Sequence, residues 1–484
     1  MNQFNYKIID LLKGSKVQFE DKSYDEKEGL RTILAYIDGT EKLIVDGPTS
    51  SQFEGDNLTS GEGSIKICPL NHQNRLALNK EFTYTAPKAF GRDTTTFGFG
   101  DRLGLANPGH LASINHAKVR PVLAQQSIRE LSFTGRTFYD VIDAAAWSVF
   151  RAGYRDGYGS DGDHLKSYEE VRESLNQGAS MITLDCSLVL RHIPDDMTEL
   201  ESIYEDIPED YRKSLEDEYL QKGDLIEFDI EFNRETLIKT ILIYYDAIEL
   251  AKKVQKEINQ RNKPIDLEIS LDETEYTTDI RAHYLVANEM EKANVNINSM
   301  APKFVGQFLK AIDYVGDLEE FRDNLRAHCK IADHFGYKIS LHSGSDKFKI
   351  YKTFSEETKG RFHVKTAGTS WLEAVLVIAK TEPDLYRDIH RVALASFEDA
   401  KNFYEVNSNI ENLRPLDEVS DSELQEYLND DDARQIIHIT YGYMLNNNEE
   451  LRDRIYNALE KHKAEYEKIL VQHFEKHLKP LGLI

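Results

Sequence analysis

From about residue 94 onward, short apolar runs alternate with longer amphipathic stretches. The runs fall at 94–100 (TTTFGFG), 119–126 (VRPVLAQQ), 181–187 (MITLDCS), 266–273 (DLEISLDE), 297–304 (INSMAPKF), 337–343 (YKISLHS) and 361–367 (RFHVKTA). Each is nearly continuous in apolar residues and ends in a polar cluster, the pattern of parallel strands buried on both faces. Helical periodicity fills the intervals, most clearly at 278–292 and 317–335. A further unit is expected between 135 and 160, where a helical YDVIDAAAWSVFRAG leads into a glycine-rich YGSDGDH read as a loop. This β-then-α series predicts an α/β fold, a (β/α)8 TIM-like barrel, with an open doubly wound sheet as the alternative.

The flanks differ. Residues 1–90 mix short alternating runs (TILAYIDG, KLIVDG) with polar turns, which predicts a small N-terminal β-rich region. The catalytic barrel is assigned to 91–375, with an acidic helical insertion at 188–262 that either decorates the barrel or covers its mouth. Residues 376–484 read as a helical C-terminal extension that closes the barrel or offers a contact for a homo-oligomer.

Composition narrows the function. The chain has 484 residues, more than one core usually holds, although a barrel with insertions reaches this size. With 59 Lys+Arg against 84 Asp+Glu, the net charge of −25 argues against nucleic-acid binding. An anionic small molecule would need a local cationic pocket. Three scattered cysteines, no apolar run near 18 residues and no signal-peptide pattern predict a cytoplasmic protein with no membrane partner. No GxxxxGK[ST] motif, nor a GxGxxG opening a helix, indicates a nucleotide cofactor.

Barrel chemistry takes place at the C-terminal strand ends, where alternate side chains face inward. Parity places Asp185, Asp272, His342 and Lys365 at one mouth. The GSDGDHLK segment adds Asp163 and His164. Two histidines suggest a divalent metal cation (Zn, Mn, Ni or Co), with Gln307, Asp272, Glu273 or Asp185 as the third ligand. Cations for an anionic substrate are available in Arg102, beside Asp101, and in Lys303, Lys347 and Lys365.

Several of these strings resemble a family. FGFGDRLGLANPGH (97–110), GSDGDHLK (159–166), LDETEYTT (271–278), APKFVGQF (301–308), AIDYVGDL (311–318), SLHSGSDKF (340–348) and HVKTAGTSWLEA (363–374) are similar to tagaturonate epimerases, the hexuronate 4-epimerases. The resemblance spans 97–374 and implies a metal-dependent isomerase (a carbohydrate epimerase) that interconverts D-tagaturonate and D-fructuronate. It also implies relatives acting on tagatose and fructose. Carbon 4 lies β to the carbon 2 ketone, so simple enolisation cannot invert it, whereas retro-aldol cleavage and re-addition can. That route needs a Lewis acid and an acid/base pair. The resulting assignment makes His164, His342 and Gln307 metal ligands, and Asp163 with Asp272 or Glu273 the acid/base pair. Asp101, Arg102, Asp185, Lys303, Lys347 and Lys365 bind the sugar acid or ketose. The alternatives are a ketose isomerase or 3-epimerase working through an enediolate, and an inactive sugar-acid binding protein.

Overall fold

The computed structural model describes residues 3–60, 63–220, 223–274 and 276–484. Five antiparallel strands, β1 (Val17–Lys27), β2 (Leu30–Ile37), β3 (Thr40–Asp46), β4 (Asp56–Ser60) and β5 (Gly63–Cys68), form an N-terminal sheet in the order β1-β2-β3-β5-β4. Strand alternation gives it two apolar faces. Ile33, Ala35, Ile44 and Ile65 pack beneath Phe4 and Ile8 of the helix Gln3–Leu11. Leu30, Leu34, Leu43 and Val45 pack with Trp147 and Phe150 of the barrel helix Phe138–Ala152. The sheet is thereby anchored to the barrel's outer wall.

The barrel strands are β6 (Thr96–Phe99), β7 (Arg120–Ser127), β8 (Gly159–Leu165), β9 (Met181–Asp185), β10 (Asp266–Leu271), β11 (Ser299–Pro302), β12 (Lys338–Leu341) and β13 (Phe362–Thr366). They close in sequence order through parallel pairs, β13 returning to β6. The expected (β/α)8 barrel is therefore present, and the open sheet is not. Helices Ile280–Lys292 and Leu318–Phe335 lie where periodicity predicted them.

Two segments depart from expectation. The glycine-rich stretch is strand β8, not a loop. Its glycine is there for packing: a Cβ on Gly162 would come 2.3 Å from Ser174 Oγ on the helix behind it. The segment 188–262 is also more than an insertion. Its second half is the 26-residue helix Arg234–Asn259, which packs on the neighbouring helices as the barrel's own crossover. The shorter helices Met197–Glu205 and Glu209–Tyr219 precede it.

The C-terminal helices pack into the same hydrophobic core as the barrel. The last helix, Lys463–Leu478, seats Phe474 against Phe99 and His110, with ring centroids 4.9 and 5.0 Å away. Among the described residues no helix is long and apolar enough to cross a membrane.

Candidate active site at the barrel mouth

Inward-facing residues of β8, β9, β10 and β13, with His342 just past β12, build one continuous chain of charge. Asp272 Oδ1 lies 2.8 Å from His342 Nδ1, and His342 Nε2 lies 2.7 Å from Glu268 Oε1. Glu268 Oε1 is 2.9 Å from Lys365 Nζ, which also donates to Asp161 Oδ2 at 2.8 Å and to Asp163 Oδ1 at 2.6 Å. Burial alone would strip charge from these groups, but mutual pairing reverses that. His342 is pushed up to about 10 because Asp272 and Glu268 outweigh its desolvation. Lys365 is held well above the usual lysine range by Asp161, Asp163 and Glu268, again against desolvation. Asp163 is held below the ordinary carboxylate value because Lys365 and His164 outweigh burial.

His164 reaches the mouth by an irregularity. The register of β8 against β9 shifts between Gly162 and Leu165, and His164 adopts φ 51°, in the left-handed region. Simple alternation would have turned it away from Asp161 and Asp163. Instead its ring centroid lies 4.9 Å from that of His342, and its Nδ1 lies 3.4 Å from Asp185 Oδ2.

Above this floor is a cleft of about 620 Å³, counting space open to solvent. Asp163, His164, His342 and Lys365 line its base. Arg129, Lys310 and Glu273 line one side, and Tyr404 and His438 of the C-terminal region line another. Arg129 stacks on Tyr404, with 4.4 Å from its guanidinium carbon to the ring centroid, and its buried Nε has no partner. Gln125 is fully buried at the cleft with both amide atoms unpartnered, in space left by Gly98, where a Cβ would collide with Gln125 Oε1. Such orphaned donors and acceptors suit sugar hydroxyls.

The structure brings together Asp163, His164, Asp185, Asp272, His342 and Lys365, and places Glu273, Arg102 and Lys347 on the cleft wall. Arg102 is committed to Glu130 at 2.9 Å and to the carbonyl of His438 at 2.8 Å. Lys347 is caged by the carbonyls of Leu309, Ile312 and Ser345, while burial pulls its ammonium down to about 7.

Three assignments are corrected. Gln307 is exposed, pairs its backbone with Val315 and does not line the cleft, because the chain turns outward after β11. Asp101 is buried and its carboxylate accepts from the backbone amides of Leu103, Gly104, Leu105 and Ala106, so it shapes the turn after β6. Lys303 Nζ is bound to the carbonyl of Thr274 and steadies the loop after β10.

Glu268, Gln125, Arg129, Lys310, Tyr404 and His438 were not singled out from sequence. Parity does turn Glu268 inward. Gln125 lies on β7 without charge to mark it, and the others sit on loops or helices with no local signal.

The mouth donors suit a divalent ion. Imidazoles and carboxylates are the appropriate chemistry, and His164 Nδ1 and Asp185 Oδ2 are buried without a hydrogen-bond partner. A second group lies behind the cleft wall. Asp346, His473 and His477, all buried, place ligand atoms within 4.8 Å of one another and form a candidate metal-binding triad.

The fold and this mouth define a (β/α)8 barrel with a buried acid/base array and a cationic rim. The sequence model of the tagaturonate epimerase family matches residues 21–481, and the chain belongs to that family. It is 37% identical to the tagaturonate/fructuronate epimerase of Thermotoga maritima over 471 residues, 96% of this chain and 97% of that protein. Crystal structures of the fructuronate-tagaturonate epimerase UxaE from Cohnella laeviribosi, native and with one glycerol, superpose with TM-score 0.91 at 43% identity. Each covers 99% of this chain and 100% of the other. The protein is accordingly an epimerase, an enzyme of the isomerase class.

Proposed function

We propose that this epimerase interconverts D-tagaturonate and D-fructuronate at carbon 4 by retro-aldol cleavage and re-addition. The observation that carries this reading is the buried chain Asp272–His342–Glu268–Lys365–Asp163 opening into a cleft whose rim holds Arg129 and Lys310. Family membership supports the substrate pair.

The substrate carboxylate is taken by Arg129, whose Nε is free, and by Lys310, which donates to Ser343 Oγ at 2.7 Å on the same wall. Gln125 takes a sugar hydroxyl. Asp163, kept ionised by Lys365, accepts the proton of the carbon 4 hydroxyl. The bond between carbons 3 and 4 then breaks, leaving its electron pair on the three-carbon ketone fragment as an enediolate and forming an aldehyde at carbon 4. After the aldehyde turns, the enediolate carbon adds to its other face, and Asp163 returns the proton to the new carbon 4 oxygen, directly or by way of Glu273. Glu268 and Lys365 hold fixed charge around this exchange without solvent reorganisation.

His164, and His342 once an ion displaces the proton it shares with Asp272 and Glu268, would hold a divalent ion with Asp272 as the neighbouring carboxylate. Such an ion supplies Lewis acidity toward the ketone and carbon 3 oxygens. Activity on tagatose and fructose would require the same cleavage without the carboxylate contact, and belongs to this reading as a weaker side reaction.

The test is isotopic. Substrate deuterated at carbon 4 is converted and the product examined by NMR and mass spectrometry. Full retention of the label is expected, because the carbon 4–hydrogen bond never breaks. Wash-out of deuterium into water would overturn the retro-aldol route in favour of direct deprotonation. Removal of metal should abolish turnover and a divalent transition ion should restore it.

A further inference from the structure

We propose that Asp346, His473 and His477 form a closed divalent-metal site, separate from the barrel mouth, that fastens the last helix to the loop following β12. Nothing in the mouth chemistry uses these residues, and none of them lines the cleft.

The argument begins with the helix. His473 and His477 are four residues apart on Lys463–Leu478 and so share one face, with ring centroids 4.6 Å apart. Each Nδ1 faces an oxygen: Glu373 Oε1 lies 3.1 Å from His473 Nδ1, and the carbonyl of His473 lies 3.0 Å from His477 Nδ1. A carboxylate or carbonyl on the far nitrogen is how proteins set the tautomer of a ligating histidine. Both Nε2 atoms face Asp346, whose Oδ1 lies 3.6 Å from His473 Nε2 and 3.8 Å from His477 Nε2.

Those separations discriminate. They are too long for hydrogen bonds, so no proton is shared directly between the carboxylate oxygen and either ring. They are close to the ~3.4 Å between two ligands each ~2.1 Å from a tetrahedral ion. A fourth oxygen is present in Thr369, whose Oγ1 lies 2.6 Å from His473 Nε2 and 3.2 Å from Asp346 Oδ2. Its single proton can serve only one of them. The main-chain amide of Asp346, which donates to His477 Nε2 at 3.1 Å, is the contact an ion would displace.

Protonation states agree with this geometry. Burial pulls both imidazoles below the usual histidine range, and the Arg434 guanidinium lies 3.5 Å from Asp346 Oδ2. Relative exposures of 5% for Asp346, 6% for His473 and 0% for His477 describe a closed, structural site rather than one with an open coordination position. Zn²⁺ is the ion this donor set favours.

The site would have a purpose. The loop it grips holds Ser343 at φ 49° and Asp346 at φ 60°, both left-handed and strained for non-glycine residues, and it delivers Lys347 to the cleft. An ion there binds the C-terminal helix, the strained loop and, through Glu373 and Thr369, the helix after β13.

Crystals of the Zn²⁺-loaded wild-type protein, measured on both sides of the zinc absorption edge, test this directly. An anomalous peak between Asp346, His473 and His477 is expected, and its absence overturns the clip. A peak only between His164 and His342 removes the clip and leaves the mouth ion. A peak only at the triad keeps the clip and removes the mouth ion. In solution, His164→Ala/His342→Ala should retain about one equivalent of zinc by mass spectrometry. Adding His473→Gln should release it and lower the melting temperature by roughly 5 °C or more. A double variant that purifies without zinc counts against the clip.

Discussion

Two buried histidine–carboxylate clusters stand on opposite sides of one loop, and they are built on opposite electrostatic principles. At the mouth, His342 is clamped between Asp272 and Glu268, which push its imidazole up to about 10, while Lys365 pairs with Asp161 and Asp163. Behind the wall, burial pulls His473 and His477 below the usual histidine range, and their Nε2 atoms face a single carboxylate beside the Thr369 hydroxyl and the Asp346 amide. Burial is common to both. What separates a reactive cluster from a structural one is whether its charge is mobile and faces a cleft, or whether its donors are tautomerically fixed and walled in.

Lys365→Met should break the first cluster most severely. It leaves Asp161, Asp163 and Glu268 buried without their shared cation, at a cost of about 3–5 kcal/mol for an uncompensated buried charge. Chemical denaturation should report that loss together with absent turnover. A variant as stable as the wild type would show that the three carboxylates are not held ionised by this amine.

Asp163→Asn sharpens the same comparison with less damage. It keeps size and polarity but cannot accept a proton, so kcat should fall ~10²–10⁴-fold with folding and metal content unchanged. If metal content falls in step with rate, Asp163 is a ligand and not the base.

The smallest effect separates both clusters from the many histidines that are merely buried. His110 and His328 are depressed by burial from 6.5 to about 3, and His390 to about 4. Their folded values lie below the unfolded value, so the unfolded chain binds more protons in acid. The stability they contribute is complete above about pH 6.5 and is lost as pH falls toward the folded values, at ~1.4 kcal/mol per pH unit for each group. Melting temperature should therefore drop between pH 7 and pH 5, and His390→Asn should flatten that drop. A profile that His390→Asn leaves unchanged would contradict the assignment.

The barrel could be read from the chain because a strand buried on both faces needs an uninterrupted apolar run, and parity along it needs no knowledge of neighbours. The residues Asp185, Asp272, His342 and Lys365 were reached in that way. His164 was reached by its composition and misplaced on a loop, because a register shift and a left-handed backbone decide its direction, and neither leaves a mark on hydrophobic pattern. Asp101 and Lys303 failed for a different reason. Their charge was visible, but their partners are backbone groups, the amides of 103–106 and the carbonyl of Thr274, whose positions exist only after folding.

The sequence by itself determined the strand series, the inward charges at the strand ends and the excess of acid that makes any cation cluster conspicuous. These are local properties, set by side-chain period and residue type. Tertiary structure alone decided which side chains line the cleft, since Arg129, Lys310, Tyr404 and His438 meet there from segments far apart along the chain. It alone also brought Asp346 to His473 and His477, 127 and 131 residues onward. Convergence over such distances is set by how helices pack around a closed barrel, and no periodicity in the chain encodes it.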